Sequence, residues 1–440
     1  MNVIKLFVGR FFNKIPYRIV PKIGGIYHGY EVEIVEYNHT LDKKDWIFRR
    51  VYAIVSFAIK KIKFYKDFYK AKGFSLDQLK TFDDIVKIPI ITKEILMTVP
   101  LEERSVRTKT CYLANTGGSS GIPLSFFKES KHRIKEWVYY NHAWKSIGYR
   151  KNIVRLKFVG RQNIMGLSYD FKRNQIQANV YEPYDKLLSE ISRINQKGII
   201  RFLSGYPSAL YEFALYCETH INEFYASNLH KSIEGISLNS EYPHPQFLEV
   251  IKRVFSHNII SSYGHTEGLC LGFDFGDGMY HSVQSYGYTE TVKMVDGEHL
   301  VGTCYDNYAS PLIRYDTNDI VDNTILKDGI IQSFKMTNGG RNGQYIVDAN
   351  GHKLPLTGVI FGKHHRLFNY CSQIQVSQRE KGAAIIYYVP KQKLPDGFDP
   401  NEYFDTAGMK IKFSYKRINS PIRTKSGKIL LLININDQLS

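Results

Sequence analysis

The feature that most constrains this chain is an alternation that begins near residue 153. Short apolar runs suited to strands, at 153–159, 236–238 and 258–261, are separated by stretches with helical spacing, at 209–219 and 245–255. A parallel neighbour needs a crossover of a dozen residues or more, and a helix is the usual crossover. The alternation continues to about 340, so 153–340 predicts an α/β fold with mostly parallel pairing.

On either side the pattern changes. Residues 42–72 predict one long helix rich in Val, Ile, Phe and Tyr, closed by Lys72-Gly73. A second helix opens after the Pro89 breaker with Thr92 as its cap, and a third runs over 131–147 and ends at Gly148. After the polar break Thr337-Asn-Gly-Gly340, segments 344–349 and 352–356 flank Asn350-Gly351, a strong hairpin signal. A helical segment from Thr357, a strand at 383–389, a helix near 401–411 and a last strand at 429–435 follow. The chain therefore divides into a large α/β domain, 1–340, with a helical segment over 1–105, and a small α+β domain, 341–440.

Charge is unevenly placed. The 440 residues carry 59 Lys+Arg against 42 Asp+Glu, a formal +17. Residues 1–100 hold 18 basic and 10 acidic side chains, residues 341–440 hold 15 and 7, and the body between is almost neutral. No helix-turn-helix, RNP or zinc-finger pattern accompanies the basic ends, which argues against nucleic acid. Five scattered cysteines without a CxxC pair indicate a reducing compartment, and no stretch approaches a membrane span, so the expected location is cytoplasmic. Lys5 and Arg10 interrupt the apolar start, which is therefore not a signal peptide. Residues 1–22 contain five Lys/Arg and no acid among Phe, Ile and Val, a composition suited to peripheral contact with an anionic membrane surface or to packing on the body.

Four patches carry chemistry. Thr116-Gly-Gly-Ser-Ser-Gly-Ile-Pro123 offers backbone N–H groups and hydroxyls to an anion such as phosphate. Ile122 stands where a Walker loop has lysine. Gly117-Gly-Ser-Ser-Gly121 also fits the GxSxG nucleophile elbow, but that elbow needs a helix starting at the serine, and Leu124-Ser-Phe-Phe127 reads as strand. Ser262-Tyr-Gly-His-Thr-Glu-Gly268 follows a strand, where α/β sheets bind ligands, and its carboxylate suits Mg²⁺. His265-Thr-Glu267 fits the HxE of zinc deaminases, whose PCxxC partner is missing. In Pro311-Leu-Ile-Arg-Tyr-Asp-Thr-Asn-Asp319, Asp316 or Asp319 can accept ribose hydroxyls. Arg423-Thr-Lys-Ser-Gly-Lys428 sets a lysine on a turn, as a point charge for phosphate or carboxylate. Each patch alone also reads as an ordinary polar turn.

Their order and spacing together resemble the adenylate-forming superfamily, in particular the phenylacetate–CoA ligase family and its CapK-like branch of capsular polysaccharide biosynthesis. The resemblance spans nearly the whole chain and includes Phe64-Tyr-Lys-Asp-Phe-Tyr69, Lys87-Ile-Pro-Ile-Ile-Thr-Lys93, Ser204-Gly-Tyr-Pro-Ser208, Asn239-Ser-Glu241, Gly340-Arg341 and Ser426-Gly-Lys428. It implies a large adenylation domain with mixed sheets and a small C-terminal lid. It also implies ATP and Mg²⁺, with Thr116, Gly117, Gly118, Ser119, Ser120 and Gly121 around the β- and γ-phosphates. Ser240 and Glu241 would border adenine, with Tyr263 and Gly264 beside the base. Thr266 would touch the α-phosphate, Glu267 would hold Mg²⁺, Asp319 would bind ribose, and Arg341 would contact the nucleotide. Lys428 would bridge carboxylate and α-phosphate.

The implied reaction is activation of a carboxylic acid as an acyl-adenylate, then transfer to CoA or to a sugar in surface-polysaccharide synthesis. The alternatives are an acyl-CoA ligase acting on an aromatic or other small acid, and a non-catalytic scaffold for membrane or nucleic acid. Leu124 stands where many members carry Lys, Asn318 replaces the usual glycine, and Asn342-Gly343 replaces the usual acidic pair. Cys270, His281 and Cys304 are the only candidates for the structural zinc that related ligases carry, and their spacing is loose.

Overall fold

The computed structural model describes residues 3–21, 23–116, 124–159, 166–180, 182–341, 345–360, 366–391, 393–406, 409–423 and 429–433. Five strands form its centre: β1 Val154–Val159, β2 Gln175–Asn179, β3 Ile200–Gly205, β4 Gly235–Asn239 and β5 Ile259–Gly264. They lie in the order β5-β4-β3-β1-β2 and all pair in parallel. Their apolar side chains are buried because helices cover them, as a parallel sheet requires. Leu156, Ile176, Leu203 and Ile236 pack with Leu187, Leu210, Phe213 and Ile251 from those helices. The helices Pro207–Thr219 and Pro245–Val254 each start on proline, whose fixed φ suits a first turn and whose missing N–H costs nothing there.

Beyond β5 the pairing changes sign. Six further strands, from Leu271–Asp274 to Tyr288–Lys293, join antiparallel, and Leu167–Asp170 closes the other edge antiparallel, giving a mixed sheet of twelve. The expected parallel pairing thus holds for the centre alone. Short turns at 275–279, 294–297 and 328–329 join successive paired strands there, and a short turn permits only an antiparallel neighbour. The expected polar break at 337–340 is the end of a strand, Ile330–Arg341.

The expected helix over 42–72 is two helices, Lys43–Lys61 and Lys63–Ala71. Ile62 is extended (φ −124°) and buried, and the Phe64 N–H is bonded to the Glu103 carbonyl at 3.1 Å. Asp42 caps the first helix by accepting from the Asp45 N–H at 2.8 Å, and Thr92 Oγ1 accepts from the Ile95 N–H at the start of Lys93–Met97. Gly148, at φ +84°, ends the third helix as expected.

Residues 345–433 build their own core from Ile346, Leu356, Leu367, Ile374, Ile386 and Phe404. The Asn350-Gly351 hairpin joins Tyr345–Val347 to Lys353–Pro355. Cys371–Glu380 pairs antiparallel with Ala383–Pro390, and Lys412–Arg417 adds in parallel. The helix expected near 401–411 is only a short 3₁₀ turn, Pro400–Glu402. Of the last strand expected at 429–435, residues 429–433 show isolated bridges at Ile429 and Leu432, and 434–435 lie outside the described residues.

Candidate active site

The C-terminal ends of β3, β4 and β5 open on one side of the sheet and carry Tyr206–Ser208, Ser240–Glu241 and His265–Glu267. Asn239 lies beside Ser262 in the register. Ser240 turns the chain off β4 at φ +67°, a left-handed conformation that costs energy for a residue with a Cβ. Glu241 then accepts from the Ser208 N–H at 3.2 Å through Oε2 and from the Ile429 N–H at 3.0 Å through Oε1. One carboxylate thus joins the ends of β3 and β4 to the C-terminal unit.

The Tyr263 hydroxyl donates to Asp319 Oδ2 at 2.7 Å. Burial pushes the phenol far above its ordinary pKa, so it stays a donor. Asp319 is itself buried, and its Cα partner across the ladder is Arg341, of which only the backbone is described. The preceding Asn318 is left-handed at φ +58°, which asparagine tolerates, so its replacement of glycine preserves the turn. Asp316 is occupied elsewhere, 3.1 Å from His299 Nδ1. Of the two aspartates left open by the sequence, Asp319 is the one facing the strand ends.

Glu267 is buried, with Oε2 3.4 Å from His265 Nδ1. Burial alone would lower the His265 pKa, but the Cys270 thiol and the Glu267 carboxylate beside it raise it to about 10. The Thr266 carbonyl accepts from Lys128 Nζ at 2.8 Å, and the same buried ammonium reaches Glu136 Oε1 at 2.5 Å. Lys128 lies on Ser125–Glu129, which forms a hairpin with Cys111–Asn115. At the neck of this hairpin Thr116 Oγ1 accepts from the Leu124 N–H and the Thr116 N–H donates to the Leu124 carbonyl, at 3.0 and 2.9 Å.

Gly117, Gly118, Ser119, Ser120 and Gly121 fall outside the described residues, but both flanks are strand. That is hairpin geometry, not the strand–turn–helix of a nucleophile elbow. Leu124 is buried in the core of the N-terminal helices, so the departure from lysine there serves packing. Lys428 also lies outside the described residues. Its neighbours do not: Ile429 bonds Glu241, and Arg423 is paired through Nη2 with the buried Glu212 Oε2, which also accepts from the Tyr184 hydroxyl at 3.1 Å.

Sequence reasoning missed Lys128, Glu212 and Tyr184, since only a lysine in an apolar strand and an acid in an apolar helix signalled them, and it gave Arg423 no role of its own within its patch. It also left Arg314 without a role. Arg314 makes a bidentate pair with Glu290 at 2.7 and 2.8 Å and donates to the carbonyls of Val86 and Ile88, so it braces the 86–91 segment rather than the site. The zinc candidates do not meet: His281 is on the surface beside Asp277, whereas Cys270 and Cys304 are buried. Among the described residues His132, Cys304 and Asp306 do converge, but Lys135 Nζ sits 2.8 Å from Asp306 Oδ1 and already supplies the positive charge.

No protein-family model and no curated protein sequence matches the chain. Among solved structures, 2-hydroxyisobutyryl-CoA ligase in the postadenylation state with an acyl-AMP superposes with a TM-score of 0.64 at 15% identity, covering 89% of each chain. An open conformation of that ligase with 2-HIB-AMP and CoA gives a TM-score of 0.53 at 15% identity, covering 89% of this chain and 91% of that one. The chain therefore has the fold of this acyl-CoA ligase over nearly its full length.

Proposed function

We propose that the protein is an ATP-dependent, AMP-forming ligase that activates a carboxylic acid. The observation that carries this reading is the grouping of Glu241 and Thr266–Glu267 after two neighbouring parallel strands, with Tyr263 bonded to Asp319 and the hairpin strand Ser125–Glu129 held to Thr266 by Lys128. The solved structures that share the fold support it, for they hold acyl-adenylates and, in one case, CoA.

In this reading the carboxylate oxygen of the acid attacks the α-phosphorus of ATP. The α–β phosphoanhydride bond breaks, pyrophosphate leaves, and acyl-AMP remains. An acceptor thiol or amine then attacks the acyl carbonyl and AMP leaves. Asp319, fixed by Tyr263, accepts the ribose hydroxyls. Ser240 and Glu241, with Gly264, border the adenine, and Arg341 is assigned to the nucleotide by its place in the motif order. The loop 116–121 takes the terminal phosphates on backbone N–H groups. Lys428 stands between the two anions that must meet, and such a charge is commonly worth about 100- to 1000-fold in rate. Thr266 touches the α-phosphate, and the Glu267 carboxylate, an oxygen donor, would hold Mg²⁺, which draws charge off the phosphates when bound.

We assign the acceptor to surface-polysaccharide synthesis at the inner face of the membrane, a sugar rather than a free thiol, on the CapK-like order of the motifs. CoA is the second reading, favoured by the basic 341–440 segment. Pyrophosphate exchange into ATP over a panel of acids tests the first half-reaction. Product mass with CoA or amino sugars present separates the acceptors. Absence of exchange with every acid would overturn the proposal.

A further inference from the structure

The first helix, Val3–Phe12, is bolted to the body by its inner face. Leu6 is wholly buried in the core of the parallel strands, and Gly9 lies so close to Tyr169 that a Cβ there would sit 2.2 Å from the phenol oxygen. Asn13 Nδ2 donates to the Phe171 carbonyl at 3.0 Å, and Lys151 Nζ bonds the Ile15 carbonyl. Its outward side chains among the described residues, and Ile15 and Ile19 in the segment after it, are apolar and open. Phe11 is 68% exposed, Ile19 69%, Phe12 49% and Phe171 43%, with Val8 and Ile15 beside them. The rings form a continuous edge, Phe11–Phe12 at 5.9 Å and Phe12–Phe171 at 5.8 Å. Phe171 comes from the turn Phe171–Arg173 at the sheet edge, so the patch is assembled from two distant parts of the chain.

Basic groups ring this edge. Lys14 and Lys172 are exposed, and Lys151 and Arg173 are half-buried. No Asp or Glu occurs in residues 1–30, and the neighbouring Asp170 is used internally, accepting from the Lys172 N–H and from Gln175 Nε2. We infer that this face seats the protein on an anionic lipid bilayer, with Phe11, Phe12 and Phe171 entering the headgroup–acyl boundary and the lysines facing lipid phosphate. An apolar edge within a cationic collar is the composition that binds anionic interfaces. A symmetric pair of copies would oppose the same cationic collars, which disfavours self-association as the occupant. No helix among the described residues is long and apolar enough to cross a membrane, so the contact is peripheral. The inference stands independently of the proposed catalysis.

Flotation of the full chain with vesicles tests it, using phosphatidylcholine alone and with 30% phosphatidylglycerol, at low and high salt. The expected result is binding to the anionic vesicles, about tenfold weaker at 500 mM salt or without the anionic lipid. The triple variant F11S/F12S/F171S and the pair K14E/K172E should each lower partitioning about tenfold or more with unchanged thermal melting. Because these side chains are exposed, folding is spared, and the charge pair serves as the second arm if the triple variant melts early. Equal flotation with neutral and anionic vesicles, or variants that float like the parent, would overturn the inference. So would a concentration-dependent dimer that the triple variant dissolves.

Discussion

Glu212→Gln is the most informative perturbation of this molecule. The Glu212 carboxylate is 10% exposed, and its Oε2 takes both Arg423 of the C-terminal unit and the Tyr184 hydroxyl. Arg423 is itself only 9% exposed. Neutralising Glu212 removes the paired counter-charge of a buried guanidinium and leaves it the weaker field of Glu241, a loss of up to about 3–5 kcal/mol where the arrangement cannot relax. Residues 345–433 hold their own core, and we expect them to move away and hydrate Arg423. The cost therefore falls on docking rather than folding. Allowing for hydration, about 2–3 kcal/mol is expected, a 30- to 150-fold shift toward the undocked state. Residues 424–428 lie between Arg423 and Ile429, so the pyrophosphate-exchange rate should fall by roughly 10- to 100-fold while the urea midpoint of the large domain stays put. Small-angle scattering should show a larger radius of gyration. A double-mutant cycle with Arg423→Met should give coupling of about 1.5 kcal/mol or more. Exchange within twofold of the parent, an unchanged radius and no coupling would refute the reasoning.

Tyr263→Phe removes one hydrogen bond to the Asp319 carboxylate, worth about 1.5–3 kcal/mol for a charged acceptor, and should raise the KM for ATP by about tenfold with little change in melting. Lys128→Met frees the Thr266 carbonyl and leaves Glu136 unpaired; we expect a 10- to 100-fold lower exchange rate and a higher Mg²⁺ requirement, partly rescued by Lys128→Arg. The His132 contribution to stability should fall with acid, whereas that of His265, whose pKa is raised, grows as pH falls toward 6.5. Burial lowers the His132 pKa to about 4 from an ordinary 6.5, so between those values the unfolded chain binds a proton that the folded chain does not. The stabilisation contributed by neutral His132 is fully present above pH 6.5 and declines by up to about 3 kcal/mol on the way to pH 4, which comparison of the parent with the His132 variant isolates. Urea titrations at pH 7.5, 5.5 and 4.5 check this, and His132→Gln should flatten the slope.

How much of this was legible depends on the range of the interaction concerned. The Asn350-Gly351 hairpin, the Thr92 cap and the Gly148 stop rest on contacts within a few residues, and each appears where the sequence puts it. The break at Ile62 did not show, because its cause is Glu103, forty-one residues away, and a buried slot for an isoleucine. The helix near 401–411 failed similarly, since parallel pairing of Lys412–Arg417 with Ala383–Pro390 overrides local spacing.

For the site, the sequence determined the chemistry on offer: a Gly/Ser loop with its hydroxyls, carboxylates at Glu241, Glu267 and Asp319, and lysine on a late turn. Side-chain type and local turn chemistry are properties of the chain itself. Only the tertiary structure decided that Asp319 rather than Asp316 meets Tyr263, fifty-six residues away, and that Glu241 is shared between two strand ends and Ile429. It alone showed Lys128 reaching across 138 residues to hold Thr266. Those partnerships depend on which strands become neighbours in the sheet, and strand order is a property of the whole fold that no local run of residues encodes.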